Sequence, residues 1–256
     1  MKMLKEFPYL YETHLHTFQG SACGKVPGRD MAVTAKNNGY TGIIVTDHHW
    51  GGNTRPDRSQ PWEQWVDEFC SGYEDARAAG DEIGLDVFFG WEAGFHATEF
   101  LIYGLDKTWM KAHPELRTCS VEEQYRLVHE AGGMVIHAHP YREAWYIEEI
   151  RLFPEFVDGI EAINAQHSNP KVTGHYDPNY NHRAVAYGRK HGLPMTAGSD
   201  IHVTNMLMGG VAFDHRLASI QDYIETVKGG EGYVLTDGVV WYDSQGNVIA
   251  PVETEE

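Results

Sequence analysis

The stretch YETHLHTF, residues 11 to 18, places His14 and His16 one residue apart at the end of an apolar run. Residues i and i+2 of a strand point to the same side, so the pair can ligate one ion together. With 15 histidines in 256 residues, such a pair arises by chance about once. It gains weight from the residues at the ends of other short apolar runs. Asp47, His48 and His49 close YTGIIVTD, Glu92 closes LDVFFGWE, and His139 with Pro140 follows GMVIHA. Asn164 closes DGIEAIN, and Asp200 with His202 closes LPMTAGSD. Imidazole with carboxylate is the donor set of Zn, Mn or Fe ions rather than of Ca²⁺ or Mg²⁺ alone. Glu92, among several histidines, suits a bridge with one oxygen toward each of two ions. Such a pair lowers the pKa of a shared water and clamps an oxyanion, the requirement for cleaving a phosphate ester.

These residues need a scaffold that gathers strand ends. Residues 9–16, 40–47, 85–92, 99–105, 133–139, 158–164 and 193–200 read as strands, being short, apolar and bounded by Gly, Pro or Asp. Helices are expected over 29–38, 61–79, 120–131, 181–191 and 217–228. Ser120 and Glu123 have the spacing of a capping box, and Gly132-Gly133, Gly192 and Gly229-Gly230 stand where helices stop. The β-α order in nearly continuous apolar strands argues for a parallel sheet covered by helices, either a barrel or an open doubly wound sheet. In barrels the residues that do chemistry come from the C-terminal ends of several strands. Residues 239–250 read as a terminal hairpin turning at Gln245-Gly246-Asn247, so that 237–256 form a C-terminal hairpin and acidic tail.

The length suits one domain, 1–256, and no hinge rich in Pro, Ser and Gly divides it. No segment reaches the ~20 apolar residues that span a bilayer, and no signal peptide is visible. Cys23, Cys70 and Cys119 are odd in number and widely spaced, which fits a reducing cytoplasm. A formal net charge of −17 opposes nucleic-acid binding, whereas an anionic small molecule can still be held by buried cations.

The ordered set resembles the PHP family, named for its polymerase and histidinol phosphatase members. His14-Leu15-His16-Thr17, Thr46-Asp47-His48, Ala138-His139-Pro140 and Gly198-Ser199-Asp200-Ile201-His202 match its motifs, with Gly90-Trp91-Glu92 between, all within 11–213. The resemblance implies an α/β fold, a distorted seven-stranded β/α barrel with two or three divalent transition-metal ions (Zn, Mn or Fe) at the C-terminal strand ends, and phosphoesterase activity. It implies that His14, His16, Glu92 and Asp200 hold one ion, Glu92 and His139 a second, and His48 and His202 a third. Glu92, Asp200 and His202 then carry the catalytic function. Two departures stand out. The loop FQGSACGKVPG lacks the histidine that completes the third site in many members, leaving Cys23 as its soft donor. The fourth strand, EFLIYGL, lacks the histidine expected there, so His96, His137 and His167 are the candidate substitutes.

Other residues carry two readings each. Asp47 is expected to orient a histidine. His137 shares a strand face with His139 by spacing and could ligate or hydrogen-bond. Cys23 is a ligand or a small loop residue, and water or substrate phosphate is preferred over it at the third position, because a thiol exposes a hydrolase to oxidation. Arg142 and Lys25 stand near motif ends, where either could hold a phosphate. The expected function is hydrolysis of a small phosphomonoester by metal-bound hydroxide at a di- or trinuclear site. The alternatives are an amidohydrolase-like enzyme acting on a C–N bond and a non-catalytic, metal-bound regulatory module.

Overall fold

The structure, a computed structural model, describes residues 2–171 and 175–253. Its first half runs through β1 (Tyr9–Leu15), α1 (Gly28–Asn37), β2 (Gly42–Val45), α2 (Trp62–Phe69), α3 (Ser71–Ile83), β3 (Asp86–Phe95) and β4 (Thr98–Tyr103). There follow α4 (Lys107–Ala112), α5 (Val121–Glu130), β5 (Met134–His137), β6 (Gly159–Asn164), α6 (Ala165–Ser168), α7 (Pro178–His191) and β7 (Met195–Gly198). The last elements are β8 (Gly210–Phe213), α8 (Ile220–Gly229), β9 (Tyr233–Thr236), β10 (Val240–Asp243) and β11 (Val248–Pro251). Residues 172–174 and the acidic end 254–256 lie outside the described residues. Among the described residues no helix is long and apolar enough to cross a membrane.

The strands form one sheet in the order β11-β10-β9-β8-β1-β2-β3-β4-β5-β6-β7. From β1 to β7 it follows the chain and curls so strongly that Ile201, just past β7, bridges Leu15. His16 N donates to Ile201 O at 3.0 Å and Ile201 N to His14 O at 3.2 Å, tying the two ends together. The distorted seven-stranded barrel stands, but its strands are not all parallel. β4 runs antiparallel to both β3 and β5, and β8 to β11 extend the sheet from β1 as antiparallel neighbours. The β3–β4 turn consists of His96 and Ala97, at φ 49 and 63. A two-residue hairpin with both φ values positive matches strand twist and usually announces itself as Asn-Gly or Asp-Gly. His96-Ala97 carries no such signal. The single helix expected over 61–79 is also two, α2 and α3, joined at Cys70.

Local signals elsewhere act as read. Ser120 Oγ accepts from Glu123 N at 3.1 Å, and Glu123 Oε2 accepts from Ser120 N at 2.8 Å, which starts α5. Gly192 stops α7 at φ 65, and the β10–β11 hairpin turns at Gly246 with φ 74.

Alternation along the strands decides which side chains face inward. Tyr11, Ile44, Leu101, Tyr103 and Ile136 share one core cluster, whereas Leu10, Leu15, Ile43 and Val45 pack with Met31, Ala35 and Ala76 of α1 and α3. Burying each such aliphatic side chain contributes roughly 1.5–3 kcal/mol. Leu10 and Leu15 are an odd number apart yet share a side, because the β1–β2 register slips between Glu12↔Ile43 and Leu15↔Val45. An extra residue in one strand re-aims the side chains that follow. This slip puts His14 and His16 on the side opposite Leu15, with the interior residues.

Alternation also corrects the reading of His137. It stands opposite Phe100 in register, outside the barrel, and its ring stacks on Phe100 at 4.9 Å. β5 ends there, and His139, at φ 28, turns its ring the other way. Burial pushes His137 from the ordinary 6.5 down to about 3. The unfolded chain takes up a proton near 6.5 that the folded chain does not accept until about 3. The stability this group contributes is therefore full above 6.5 and is lost as pH falls toward 3, by at most about 1.4 kcal/mol per pH unit. His137→Phe keeps the stacking and removes this loss. Its urea midpoint should decline less steeply with acidification than that of the unmodified chain; parallel declines would contradict this placement.

Candidate metal centre

Glu92 lies in β3 beside the end of β2, where His48 bridges it; Glu92 N donates to Asp47 O at 2.9 Å and His49 N to Glu92 O at 2.8 Å. The buried carboxylate divides its two oxygens between two groups of rings. Oε1 lies 3.3 Å from His14 Nε2 and 3.2 Å from His139 Nε2. Oε2 lies 2.7 Å from His48 Nδ1 and 3.6 Å from His16 Nε2. Asp200 Oδ1 is 3.3 Å from His16 Nε2 and 3.7 Å from His14 Nε2. His16 is stacked between His48 and His202, with centroids at 4.3 and 4.6 Å. Donor atoms gather within 4.8 Å in overlapping sets: His14, His16, Glu92; His14, His139, Asp200; His48, Glu92, Glu99; and His16, His48, His202.

Whether these residues fit cations is tested by their lone pairs. His14 Nδ1 is 2.8 Å from Glu161 Oε1, and since a carboxylate only accepts, Nδ1 carries the proton and Nε2 is a free donor. Ser21 gives its hydroxyl proton to Asp47 Oδ1 at 2.6 Å, so it accepts from His16 Nδ1 at 3.2 Å and leaves His16 Nε2 free in the same way. His14 Nε2 and His16 Nε2 are buried without a hydrogen-bond partner, and His48 Nδ1 and Glu92 Oε2 face each other at 2.7 Å without hydrogen-bond geometry. Buried polar atoms are ordinarily paired, and like lone pairs converging on one space are what a cation satisfies. The donor set fits more than one such ion.

The electrostatics agree. Burial alone would push His14 down, but Glu161, Asp200 and Glu92 hold it well above the usual histidine range. Glu92 does the same for His48 against its burial. Burial, reinforced by His48, keeps His16 well below that range. Against their own burial, Glu92 is held well below the usual carboxylate range by His48 and His14, and Asp200 by Arg142 and His14. Protons on His14 and His48 thus stand where cations would, so metal binding releases protons and weakens as pH falls. Backbone strain is concentrated here too: His139 and Asp200 hold positive φ, 28 and 54, which side-chain-bearing residues rarely adopt.

The other expected residues fall in various places. Arg142 is buried, its Nη2 bonded to Asp200 Oδ2 and its Nε donating to His167 Nε2 at 3.1 Å. It lines a cavity of about 440 Å³ together with Cys23, His48, Glu92, Asp200 and His202. Cys23 lines that cavity with His48 and His202, and against its burial His202 and His48 bring the thiol down to about 6. Asp47 accepts from Thr17 N and Oγ1 at 2.7 and 2.6 Å, and it reaches His16 through Ser21. Lys25 is exposed and is not among the cavity-lining residues; its backbone N–H donates to His202 O at 3.0 Å while its charge faces solvent. His96 forms the hairpin turn, and His167 stands behind Arg142, its Nδ1 3.0 Å from Asn181 Oδ1.

A family model described as PHP-associated matches residues 178–231, which run from α7 through Asp200 and His202 into α8. No curated protein matches the sequence. A two-domain protein from Bacteroides vulgatus that contains a predicted PHP-like metal-dependent phosphoesterase superposes with a TM-score of 0.68 at 16% identity, over 93% of this chain and 68% of that one. The chain has a PHP-like fold. A candidate metal-dependent phosphoesterase from Bifidobacterium adolescentis shares 16% identity at a TM-score of 0.51, over 76% of this chain and 88% of that one. An amidohydrolase from Chromobacterium violaceum, with sulfate bound and no metal, shares 16% at a TM-score of 0.50, over 75% and 87%.

Two carboxylates of this site escaped the sequence reading. Glu99 Oε1 is 3.6 Å from His48 Nδ1 and its Oε2 is 3.6 Å from His139 Nε2. It occupies the fourth-strand position where a histidine was sought, and its signal was the shared face with inward Leu101, two residues on. Burial and neighbouring Glu92 raise it above the usual carboxylate range. Glu161 is buried in β6, where it holds His14 Nδ1 and accepts from His139 N at 3.1 Å. A charged residue inside an apolar strand was the signal. Because carboxylates behind ligating histidines set their tautomer and basicity, Glu161→Gln should weaken Mn²⁺ or Zn²⁺ binding by about 10- to 100-fold. Isothermal titration of the folded variant checks this, and unchanged affinity would contradict the role.

Proposed function

We propose that this chain is a metal-dependent phosphoesterase that hydrolyses small phosphomonoesters, with Zn, Mn or Fe ions held by His14, His16, His48, Glu92, Glu99, His139, Asp200 and His202. One observation carries the reading: unpartnered donor atoms from several strand ends converge on both oxygens of Glu92, and the buried guanidinium of Arg142 opens onto the same cavity. Bound there, the cations would lower the pKa of a water toward neutrality and offset the charge of phosphoryl oxygens.

The protein's own groups supply the rest. Arg142 is held by His167 through Nε and by Asp200 through Nη2, which leaves Nη1 to donate to a phosphoryl group. Asp200 is its counterion, which keeps the charge poised in a buried setting without freezing it onto the substrate. Trp145 and Tyr146, both exposed, line the same cavity and offer ring faces to whatever enters. With a formal net charge of −17, anionic substrates are drawn by this interior and not by the surface.

The Chromobacterium violaceum neighbour makes C–N hydrolysis the competing reading. Arg142 favours the phosphoester, and there is no lysine among the described residues that line the cavity. A regulatory module without catalysis is the third outcome. A panel of phosphomonoesters and cyclic amides, assayed with added Mn²⁺ or Zn²⁺, separates all three. The proposal expects phosphate release, lowered at least ~100-fold in kcat by Glu92→Gln or Asp200→Asn in variants that still fold. Amide cleavage, no turnover of either class, or near-normal activity in both variants would contradict it.

A further inference from the structure

The loop from Phe18 to Gly28 is pinned on both sides of Cys23. Ala22 N donates to Asn53 O at 2.8 Å, Gly24 N to Ser21 O at 3.2 Å and Lys25 N to His202 O at 3.0 Å. Arg55 Nη2 donates to Ala22 O at 3.2 Å and to Gly24 O at 3.1 Å, clamping the two residues that flank the thiol. Gly24 packs so tightly that a Cβ there would lie 2.2 Å from Thr17 O. Five anchors for one short loop are more than a solvent-facing connection needs. Their effect is to hold Cys23 at the cavity wall beside His48 and His202.

The imidazole cluster on this wall has unmet valence. His16 Nε2 is buried and without a hydrogen-bond partner, and His16, His48 and His202 bring donor atoms within 4.8 Å of one another. Cys70, by contrast, is buried within the aromatic layer of Trp62, Trp65 and Phe69 and does not line this cavity. We propose that Cys23 is a thiolate ligand that completes the outer metal position formed by His48 and His202, in place of water or substrate phosphate. The inference rests on the metal-dependent reading above. Thiolate with imidazoles is a zinc-type donor set, and coordination removes the exposed free thiol that made a lone cysteine unattractive in the sequence.

Co²⁺ added to the purified full chain tests this by absorption and by metal content after dialysis. The expected result is a near-ultraviolet sulfur-to-cobalt band that Cys23→Ser abolishes and Cys70→Ser retains. Cys23→Ser should also hold one fewer ion per chain, and Cys23→His should restore the ion without the band. Circular dichroism and the urea midpoint establish that each variant folds. Visible cobalt bands without the near-ultraviolet band, or equal metal content and affinity in Cys23→Ser, would overturn the thiolate and leave the metal-dependent reading intact. Failure of Co²⁺, Zn²⁺ and Mn²⁺ to bind at all would overturn both.

Discussion

A carboxylate removed from water stays ionised only where positive charge or hydrogen-bond donors face its oxygens, and Glu92 has imidazoles at both. Its strand is locked on each side of the residue, by Asp47 O through the Glu92 N–H and by the Glu92 carbonyl accepting from His49. With the backbone fixed, Oε1 turns to His14 and His139 and Oε2 to His48 and His16. Desolvation of a lone carboxylate would cost several kcal/mol, so the surrounding imidazoles and any cations they share are required by the burial itself. The rest of the site can be understood as what keeps those rings aimed.

That aiming is spread through a network of further buried carboxylates. Glu161 fixes His14 and the backbone of His139. Asp47 fixes His16 by way of Ser21, whose hydroxyl also accepts from His48 N at 2.9 Å. Beneath them Glu12, which burial pushes up to about 7, accepts from His14 N at 2.8 Å and from Ser199 N at 3.0 Å. It thereby ties β1 to the residue just before Asp200. Gly198 permits this closeness, since a Cβ there would sit 2.5 Å from that of His14. The curled sheet, the slip in β1 and the strained backbones of His139 and Asp200 all serve one end, to bring distant strand termini within donor distance.

Much of this was legible because the relevant signals are local or repeat along the chain. Ligand-type residues recur at the ends of apolar runs, and the capping box at Ser120 and the stop at Gly192 depend on a few neighbouring residues. What was missed depends on contacts that spacing cannot encode. The His96-Ala97 turn has the right geometry with unusual residues, so β4 reads as an independent strand and the inward face of Glu99 goes unnoticed. His137 and His139 share a face only if the strand continues, and it does not. Lys25 and Arg142 look alike as loop cations. One is exposed and the other is buried against Asp200, a difference set by a residue 58 positions away. Glu161 reads as one acidic residue in an apolar strand until His14 is brought against it.

On this view the partnerless ring nitrogens around Glu92, with its Oε2, are coordination sites. Crystals of the purified protein, measured on either side of the Zn, Mn and Fe absorption edges, test it most directly. The expected result is anomalous density flanking the Glu92 carboxylate, one ion toward His14 and His16 and another toward His139 or His48. Absence of anomalous signal after soaking in each metal, with water molecules hydrogen-bonded to His14 Nε2 and His16 Nε2, would contradict it.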